Sequence, residues 1–274
     1  MSIPNRSKKG VEEMKGPKEF SCRVIEQAAL APDYYLLKLE APELARNSYP
    51  GQFAMLGCSE GYDPFLRRPL GIHQVDRKKG QVLFLYQVRG KGTEWLAKRC
   101  QNDKLSLLGP LGRGFGCSDG GGRAMIIGAG VGVAPLLFLA SELRAHRWEL
   151  VILMGARSKS GILRLDAFME CGEVKIATED GSCGVQGTIL DLVARELESS
   201  SFAKLFACGP LSVLKGVQVM SREKGIAAEL SLDERMACGV GACVGCVCQG
   251  HDGSYLRVCK EGPVFSAEEV VLGE

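Results

Sequence analysis

The pattern of apolar and polar positions divides the chain into two halves with different secondary structure. Between residues 19 and 118, short segments with β-branched, aromatic or alternating apolar residues are separated by turn formers such as Pro50-Gly51 and Lys79-Gly80. Strands are predicted at residues 34–39, 81–88 and 104–108, and one helix at residues 93–99. Short strands at regular spacing predict a β-barrel for this half.

Strands and helices alternate after the glycine run at residues 120–122, which we interpret as a linker. This alternation predicts a doubly wound α/β domain, in which helices cover both faces of a parallel sheet. The strands are predicted at residues 124–127, 150–154, 174–178, 204–207 and 227–230. One helix runs to about residue 146, and two more are predicted at residues 188–197 and 211–224. A small Cys-rich segment follows from about residue 231.

The longest apolar run, at residues 124–140, reaches the lower length limit of a membrane-spanning helix. Three glycines and Pro135 interrupt the run. A buried strand, a turn and a helix therefore explain it better, and membrane insertion is the alternative.

Length and composition indicate a globular protein without a nucleic-acid or membrane partner. The 274 residues suit two ordinary domains and a small appendage, with 46% apolar and 24% charged residues. The net charge of +2, without a long basic run, gives no reason to expect nucleic acid. Residues 1–18 lack the apolar stretch of a signal peptide, and we expect a flexible extension there. The 12 cysteines then indicate free thiols in a reducing compartment, the cytoplasm.

Four of these cysteines, in the last fifty residues, carry the most specific pattern of the chain. Cys238, Cys243, Cys246 and Cys259 have the spacing C-x4-C-x2-C…C, which is that of a plant-type [2Fe–2S] site. The glycines at positions 239, 241 and 245 allow the backbone to curl tightly around a cluster and to point N–H groups at its sulfurs. Such a cluster transfers one electron at a time, so the chain is predicted to belong to an electron-transfer path.

Two other interpretations of the cysteines stay open at this point. Structural zinc is usually held by two C-x2-C pairs, whereas this segment contains one. Disulfides are disfavoured by the absence of a signal peptide. Cys248 lies two residues after Cys246, but the four-cysteine pattern is complete without it, so we interpret Cys248 as a bystander.

The α/β half contains glycine loops at the ends of predicted strands. Residues 128–135 follow a strand and open a helix, as expected for a loop that holds a pyrophosphate with backbone N–H groups. Val133 occupies the third glycine position of G-x-G-x-x-G, and a simple strand-to-helix turn is the alternative. Cys208-Gly209-Pro210 and residues 179–182 also follow strands, so they should share the same edge of the sheet.

The barrel half contains two strings that could contact phosphate. Arg67 and Arg68 precede Pro69 in an extended segment and could clamp a phosphate, although a solvated charged turn is equally compatible. Residues 86–93 resemble a phosphate loop at a helix start, with Thr93 as N-cap and donor. Three histidines give little material for a catalytic triad or a metal site, and they are interpreted as surface or packing residues. Bound cofactors are therefore expected to carry the chemistry.

Together these strings resemble the ferredoxin–NADP reductase superfamily. The string from Arg68 to Gly71 is similar to its R-x-Y-S flavin motif, with Leu70 and Gly71 in place of the usual Tyr and Ser or Thr. The loops at residues 128–135 and 208–210 are similar to its pyridine-nucleotide motifs, in which the cysteine lies near the nicotinamide. The string at residues 231–246 and the ending at residues 258–265 resemble, more narrowly, the electron-transfer subunits of bacterial dihydroorotate dehydrogenase B. This resemblance covers roughly residues 19–267.

The resemblance implies three modules and three cofactors: FAD, a [2Fe–2S] cluster and NAD. An FAD-binding β-barrel is expected at residues 19–118, an NAD-binding α/β domain at residues 119–230 and the [2Fe–2S] segment at residues 231–274, after the extension at residues 1–18. The implied contacts with FAD or NAD are Arg68, Pro69, Leu70, Gly71, Leu85, Tyr86, Gln87, Gly92, Thr93, Gly128, Gly130, Gly132, Pro135, Gly209 and Pro210. Cys208 is the implied catalytic residue, and Cys238, Cys243, Cys246 and Cys259 are the implied cluster ligands. Arg157 and Ser158 follow the second α/β strand, where a 2′-phosphate could be read, so NADP stays an alternative to NAD.

The implied partner is an FMN-containing dihydroorotate dehydrogenase catalytic subunit, in a heterotetramer that serves pyrimidine biosynthesis. Related modules serve ferredoxin-dependent NADP transhydrogenases, sulfide dehydrogenases and hydrogenases, and these partners are the first alternative. For the transhydrogenase we expect Asp in place of the first cluster cysteine, so Cys238 speaks against it. A zinc-stabilised docking module without redox activity is the second alternative.

Overall fold

The computed structural model describes residues 17–117 and 121–273. Most of the predicted N-terminal extension therefore lies outside the described residues, but Lys18 is already the first residue of a strand. The first glycine of the predicted linker also lies outside them. No helix within the described ranges is long and apolar enough to cross a membrane.

The first half of the chain forms a closed antiparallel barrel, as predicted, with the strand order β1-β2-β5-β4-β3-β6. The strands are β1 (Lys18–Ala31), β2 (Tyr34–Glu40), β3 (Phe53–Leu56), β4 (Arg68–Asp76), β5 (Gln81–Gln87) and β6 (Lys104–Leu111). Two short helices, α1 (Pro42–Asn47) and α2 (Lys91–Ala97), cross between strands. Alternate residues of β6 are buried, which is the two-residue period of a strand with one face in a core.

The second half forms the predicted doubly wound α/β domain. Its elements are β7 (Arg123–Ala129), α3 (Leu136–Ala145), β8 (Glu149–Ala156), α4 (Leu165–Met169), β9 (Glu173–Thr178), β10 (Val185–Gln186), α5 (Ile189–Ser199), β11 (Lys204–Cys208), α6 (Leu211–Lys224) and β12 (Ala227–Ser231). The parallel strands have the order β10-β9-β8-β7-β11-β12. The winding direction reverses between β7 and β11, and ligands bind at such switch points.

The Cys-rich segment is joined to the α/β domain. Its strands are β13 (Val247–Gly250), β14 (Tyr255–Arg257), β15 (Val264–Ser266) and β16 (Val270–Val271). Strand β15 pairs antiparallel with β12 and so becomes the edge of the main sheet. The other three strands form a small sheet of their own, in the order β14-β13-β16. The sequence pattern did not predict this shared sheet.

Shared apolar cores hold the three modules together. Phe138 of α3 is 2% exposed and packs in the core of the barrel, a burial that stabilises the contact by about 2 kcal/mol. Met55 and Leu111 of the barrel pack in one cluster with Cys246 and Cys259 of the C-terminal segment. The relative positions of the three modules are therefore set by packed side chains.

A buried histidine completes the contact between barrel and α/β domain. His73 lies on β4, is fully buried, and its Nδ1 lies 2.6 Å from the carbonyl oxygen of Ala134. Burial lowers the pKa of His73 to about 4, with Arg164 as a further lowering influence and the Ala134 carbonyl opposing them. His73 is therefore a neutral packing residue at physiological pH, which agrees with its interpretation from the sequence.

Candidate functional site

A central cavity of about 1420 Å³ lies between the barrel, the α/β domain and the C-terminal segment. This volume exceeds the roughly 300–1,000 Å³ that is usual for the pocket of one small ligand. The structure thus brings together residues that are far apart in the chain and has space for two cofactors side by side. The predicted residues that border it are Pro69, Leu70, Gly71, Leu85, Tyr86, Gln87, Gly130, Gly132, Pro135, Cys208, Gly209 and Pro210.

The glycine loop closes the cavity on the α/β side. Strand β7 ends at Ala129, a 3₁₀ turn covers Gly130–Val133, and α3 begins at Leu136. A Cβ at Gly132 would lie 2.5 Å from the carbonyl oxygen of Cys208, so only glycine lets the loop approach the end of β11. A Cβ added at Gly130, where φ is +56°, would meet nothing within 4 Å, so this position faces open space.

The departure from the glycine fingerprint has a packing reason. Val133 is 2% exposed, and a Cβ at Gly128 would lie 2.7 Å from its Cγ1. The valine side chain therefore covers Gly128, which lies beneath the loop and does not border the cavity. Gly128 supports the loop through packing.

Cys208 ends β11 beside Gly128 of β7 and Ser231 of β12. Burial raises the pKa of the Cys208 thiol to about 12, against the lowering effect of a hydrogen bond with Ser231. The thiol is therefore neutral at physiological pH. A neutral buried thiol is a poor nucleophile but gives a compact, polarisable surface beside a bound ring.

The barrel contributes strands β4 and β5 to the opposite wall. A Cβ at Gly71 would lie 3.5 Å from Pro135, so β4 and the glycine loop touch directly at this point. Tyr86 points away from the wall into the barrel core, where Nε2 of Gln27 donates to its hydroxyl at 2.6 Å. Burial raises the Tyr86 pKa. We therefore expect Tyr86 to meet a ligand through its backbone.

The side chains of Arg67 and Arg68 have different partners and do not lie side by side. Arg67 Nη2 donates to Glu19 at 2.6 Å and to Ser106 at 2.8 Å. The Arg68 guanidinium lies against Gly92, where an added Cβ would be 2.6 Å from its Nε. Arg67 is therefore occupied by protein partners, and Arg68, at the start of α2, is the arginine of the expected pair that could still bind a phosphate. Arg68, Gly92 and Thr93 lie together but do not border the central cavity.

Thr93 is not the N-cap that the sequence analysis expected. Gly90 is the N-cap of α2, and Thr93 is the third helical residue. The Thr93 hydroxyl accepts the N–H groups of Arg89 and Gly90 at 2.9 and 3.2 Å and donates to the Gly90 carbonyl at 3.0 Å. This is one half of a capping box, since Gly90 has no side chain to complete it, and it uses the Thr93 hydroxyl within the protein.

The four predicted cluster cysteines meet in the C-terminal segment as two pairs. The backbone N–H of Cys243 donates to Cys238 Sγ at 3.4 Å, and the backbone N–H of Cys259 donates to Cys246 Sγ at 3.4 Å. Within the described residues, no three His, Cys, Asp or Glu side chains gather around one point. A single zinc ion needs four ligands around one point, whereas a two-iron cluster needs two thiolates for each iron. The paired arrangement thus fits the [2Fe–2S] interpretation.

Backbone N–H groups point at these sulfurs. Gly241 donates to Cys259 Sγ at 3.1 Å, and Cys243 donates to Cys238 Sγ at 3.4 Å. The turns need left-handed backbone, and Gly239 and Gly241 supply it with φ +72° and +81°. Burial alone would raise the Cys238 pKa, but hydrogen bonds from Cys243 and Val240 outweigh it and lower the pKa to about 6. The loop therefore favours negative charge on the Cys238 sulfur, whereas burial and the neighbouring Cys246 raise the pKa of Cys259 to about 12.

The cluster loop lies between the protein surface and the barrel. Cys246 and Cys259 are each 2% exposed, whereas Cys243 is exposed and the next residue, Val244, is 56% exposed. A Cβ at Gly239 would lie 2.6 Å from the Met55 side chain of β3, which fixes the loop against the barrel. One cysteine pair is thus enclosed, and the other has a member at the surface where an external electron donor could approach.

Sequence reasoning missed three charged residues that border the central cavity: Arg89, Asp233 and Glu234. Arg89 lies in the string at residues 86–93, and the two acids lie in the string that precedes Cys238. Cys248 also borders the cavity, although it was interpreted as a bystander of the cluster. Nothing in the local sequence indicates that these residues face a common space. Their only signal was that they lie within strings that the sequence analysis had singled out.

Comparisons with known proteins agree with this geometry. The family model described as the iron-sulfur cluster binding domain of dihydroorotate dehydrogenase B matches residues 233–271. The dihydroorotate dehydrogenase B (NAD(+)) electron transfer subunit of Desulforamulus reducens is 41% identical over 258 residues, which cover 93% of this chain and 98% of that protein. The corresponding subunit of Geobacillus thermodenitrificans is 42% identical over 253 residues, or 91% and 97% of the two chains.

Two solved structures share the fold. One, described in work on electron bifurcation by the NADH-dependent reduced ferredoxin-NADP oxidoreductase, has a TM-score of 0.84 and 26% identity over 92% of this chain and 90% of that chain. The other is a ferredoxin NADP+ reductase from Neisseria gonorrhoeae with bound FAD and NADP. It has a TM-score of 0.62 and 18% identity over 76% of this chain and 92% of that chain.

Proposed function

The chain belongs to the family of electron transfer subunits of dihydroorotate dehydrogenase B, and from this premise we propose its place in an electron path. It takes electrons from a dihydroorotate-oxidising catalytic subunit and passes them through a [2Fe–2S] cluster and FAD to NAD+, in pyrimidine biosynthesis. A cluster of this kind transfers single electrons, nicotinamide takes a hydride, and a flavin handles both. The three cofactors therefore form the shortest path between a one-electron and a two-electron carrier.

One observation carries this proposal: two thiol pairs lie on a loop packed against the barrel, beside a cavity with space for two cofactors. Met55 ties the loop to β3, which pairs with β4 at the cavity wall. A cluster held there would be enclosed by protein on the flavin side and accessible on the side of Cys243. Electron entry at the surface and exit into the cavity follow from this arrangement.

The residue assignments extend the proposal to individual contacts. Residues 69–71 and 85–87 are assigned to the flavin because they form one wall of the cavity. Arg68, Gly92 and Thr93 are assigned to it because they lie at the adjoining start of α2. The glycine loop and residues 208–210 are assigned to the nicotinamide nucleotide at the opposite wall. Cys208 is assigned the floor of the nicotinamide site, with its thiol neutral.

The proposed partner is an FMN-containing catalytic subunit, in a heterotetramer with two copies of each chain. The names of the relatives support this partner, since a transfer subunit of a dehydrogenase needs a subunit that oxidises the substrate. A cytoplasmic location is proposed on the basis of the twelve cysteines, all of which are free thiols.

A ferredoxin-linked partner is the second candidate, because the structure with a TM-score of 0.84 comes from a ferredoxin-NADP oxidoreductase. In this chain all four cluster positions are cysteines, and Cys238 accepts two backbone hydrogen bonds as a ligand thiolate would. We expect Asp at that position in the transhydrogenase subunit. The identity to the dihydroorotate dehydrogenase relatives is also higher.

The test is dihydroorotate-dependent formation of NADH by a flavin-containing catalytic subunit from the same source, with this chain present and absent. We expect NADH formation only when the chain is present. No activity, from a chain that shows flavin and iron–sulfur absorbance and is bleached by NADH, would assign the relay to another oxidoreductase. A colourless chain without iron would contradict the proposed cofactors themselves.

A further inference from the structure

The proposed function creates a proton requirement, and the inference that follows rests on it. Electrons from an iron–sulfur cluster arrive without protons, whereas nicotinamide accepts two electrons together with one proton as a hydride. Each NADH therefore requires one proton taken from water at the point where flavin and nicotinamide meet. A side chain that exchanges a proton at this point would speed the reaction by general acid–base catalysis.

Asp233 is held at this point by the backbone before it. Strand β12 ends at Ser231, which pairs with Cys208 at the end of β11. The next residue, Leu232, is 7% exposed, and its N–H donates to the Pro263 carbonyl at 2.9 Å. The chain therefore enters the cavity at Asp233 from a fixed anchor, directly beside the proposed nicotinamide floor.

Asp233 borders the same cavity as Cys208 of the α/β wall and Arg89 of the barrel side. From the α/β side, its charge contributes to the raised pKa of Cys208. From the barrel side, the charge of Arg89 lowers the pKa of Asp233. Arg89 Nε also donates a hydrogen bond to Gln87 of the proposed flavin wall at 2.9 Å. Two further carboxylates border the cavity but have other neighbours. The charge of Glu234 contributes to the raised pKa of Cys248, and Glu179 follows β9 and borders the cavity together with Arg157.

The surroundings of Asp233 favour proton exchange. Protein atoms around the carboxyl raise its pKa by desolvation, and Arg89 opposes that shift. Arg89, Cys208 and the adjacent Glu234 are the charged and titratable groups that face or flank it. The side chain nevertheless remains in contact with solvent through the open cavity. It can therefore regain a proton from water after giving one up.

We propose that Asp233 is the acid–base residue that supplies the proton for hydride formation at the flavin. With the cofactors bound, the O–H bond of the Asp233 carboxyl would break and its proton would pass to the flavin once two electrons had been supplied one after the other. The flavin would supply that hydrogen with an electron pair to NAD+ as a hydride, and Asp233 would be reprotonated by water. The net reaction consumes two electrons, one proton and NAD+ and forms NADH.

Asp233→Asn separates this role from a structural one, because the flavin can be reduced by two routes. NADH delivers a hydride that contains its own hydrogen, whereas reduced methyl viologen delivers electrons only. In anaerobic stopped-flow experiments on the complete chain, we expect Asp233→Asn to leave flavin bleaching by NADH within about threefold of the wild type. Bleaching by reduced methyl viologen should slow by about 10–100-fold, the low end for a lost acid–base residue, because water also reaches the site.

Two controls and a pH profile accompany the variant. Asp233→Glu should restore most of the methyl viologen rate. Glu268→Gln, which removes an exposed carboxylate that does not border the cavity, should keep both rates. In the wild type, bleaching by methyl viologen should slow as the pH rises through the carboxyl pKa, and Asp233→Asn should lose this dependence.

Equal slowing of both routes in Asp233→Asn would show a structural role and overturn the proposal. Unchanged rates by both routes would overturn it as well. A chain that binds no flavin would instead refute the proposed function, so the two failures are distinguishable.

Discussion

The cluster loop and the central cavity are built in opposite ways. All four cluster cysteines come from the stretch between Cys238 and Cys259, and their partners are N–H groups of the same stretch. The cavity instead draws its walls from β4, β5, β7, β11 and the segment after β12. The first site is a property of local spacing, and the second exists only after three modules have packed together.

Two cysteines show what this difference means for chemistry. Hydrogen bonds from neighbouring N–H groups lower the pKa of Cys238 to about 6 even though burial opposes them. Burial raises the pKa of Cys208 to about 12, which the Ser231 hydrogen bond does not offset. The same side chain is therefore prepared as a thiolate ligand in one region and as a neutral wall in the other.

Removing one cluster ligand should have the largest effect and leave the cavity intact. Cys243→Ser should reduce dihydroorotate-dependent NAD+ reduction to background, because the cluster needs four thiolates. NADH oxidation by artificial acceptors that react at the flavin should persist. The measurements are both activities and the electron paramagnetic resonance signal of the reduced cluster.

Cys100→Ser is the matched control, since Cys100 is an exposed thiol outside the cluster segment. It should keep the signal and both activities. If Cys243→Ser retained partner-dependent activity, the proposed order of electron carriers would be wrong.

Acid should loosen the contact between the two large domains through His73. Its pKa is about 4 in the folded chain against 6.5 in the unfolded chain, so its contribution to stability is present above 6.5 and is lost as pH falls towards 4. Between about pH 7.5 and about pH 5, this loss amounts to about 2 kcal/mol of the free energy of unfolding.

Denaturant unfolding at both pH values measures this effect in the wild type and in His73→Gln, which does not titrate. The decrease should be smaller in His73→Gln by about the same 2 kcal/mol. An identical decrease in both proteins would contradict the assignment to His73.

A methyl group at Gly132 should damage the cavity and spare the cluster loop. The new Cβ would lie 2.5 Å from the Cys208 carbonyl oxygen, so the loop or the end of β11 must shift. We expect Gly132→Ala to lower the free energy of unfolding by about 1–3 kcal/mol and to weaken NADH binding about tenfold. Fluorescence titration with NADH measures the binding.

Gly61→Ala is the control, because a Cβ at Gly61 meets nothing within 4 Å. Binding and stability should match those of the wild type. A Gly132→Ala chain with normal NADH affinity would show that the close approach to Cys208 does not shape the nucleotide site.

The smallest effect is expected at Cys208. Because its thiol is neutral and buried, Cys208→Ser should reduce NADH oxidation by artificial acceptors by less than about tenfold. The pH profile between about pH 6 and about pH 9 should keep its shape, since no thiolate is lost. A loss of several orders of magnitude together with a changed profile would instead indicate thiolate chemistry.

The direction of individual side chains was the main feature that the sequence motifs could not predict. Tyr86 belongs to a string assigned to the flavin, yet its side chain enters the barrel core because successive residues of a strand point to opposite faces. Thr93 has the residue type of an N-cap, but Gly90 takes that position and the threonine hydroxyl bonds back to it. In both cases the polar group of the side chain is used within the protein.

The sequence by itself predicted the four candidate cluster cysteines, and it determined the change from barrel to α/β domain and the glycine loop, because each depends on spacing within a short stretch. The cysteine spacing C-x4-C-x2-C can be recognised without knowledge of distant contacts, and so can the difference between the two-residue apolar period of strands and the 3.6-residue period of helices. Only the tertiary structure decided that β15 joins the main sheet and that Arg89, Cys208 and Asp233 meet across one cavity. Strands β12 and β15 pair residues 33–37 positions apart, and Arg89 lies more than a hundred positions from Cys208 and Asp233. The energy of these contacts comes from burial and charge in a packed interior, which no local pattern encodes.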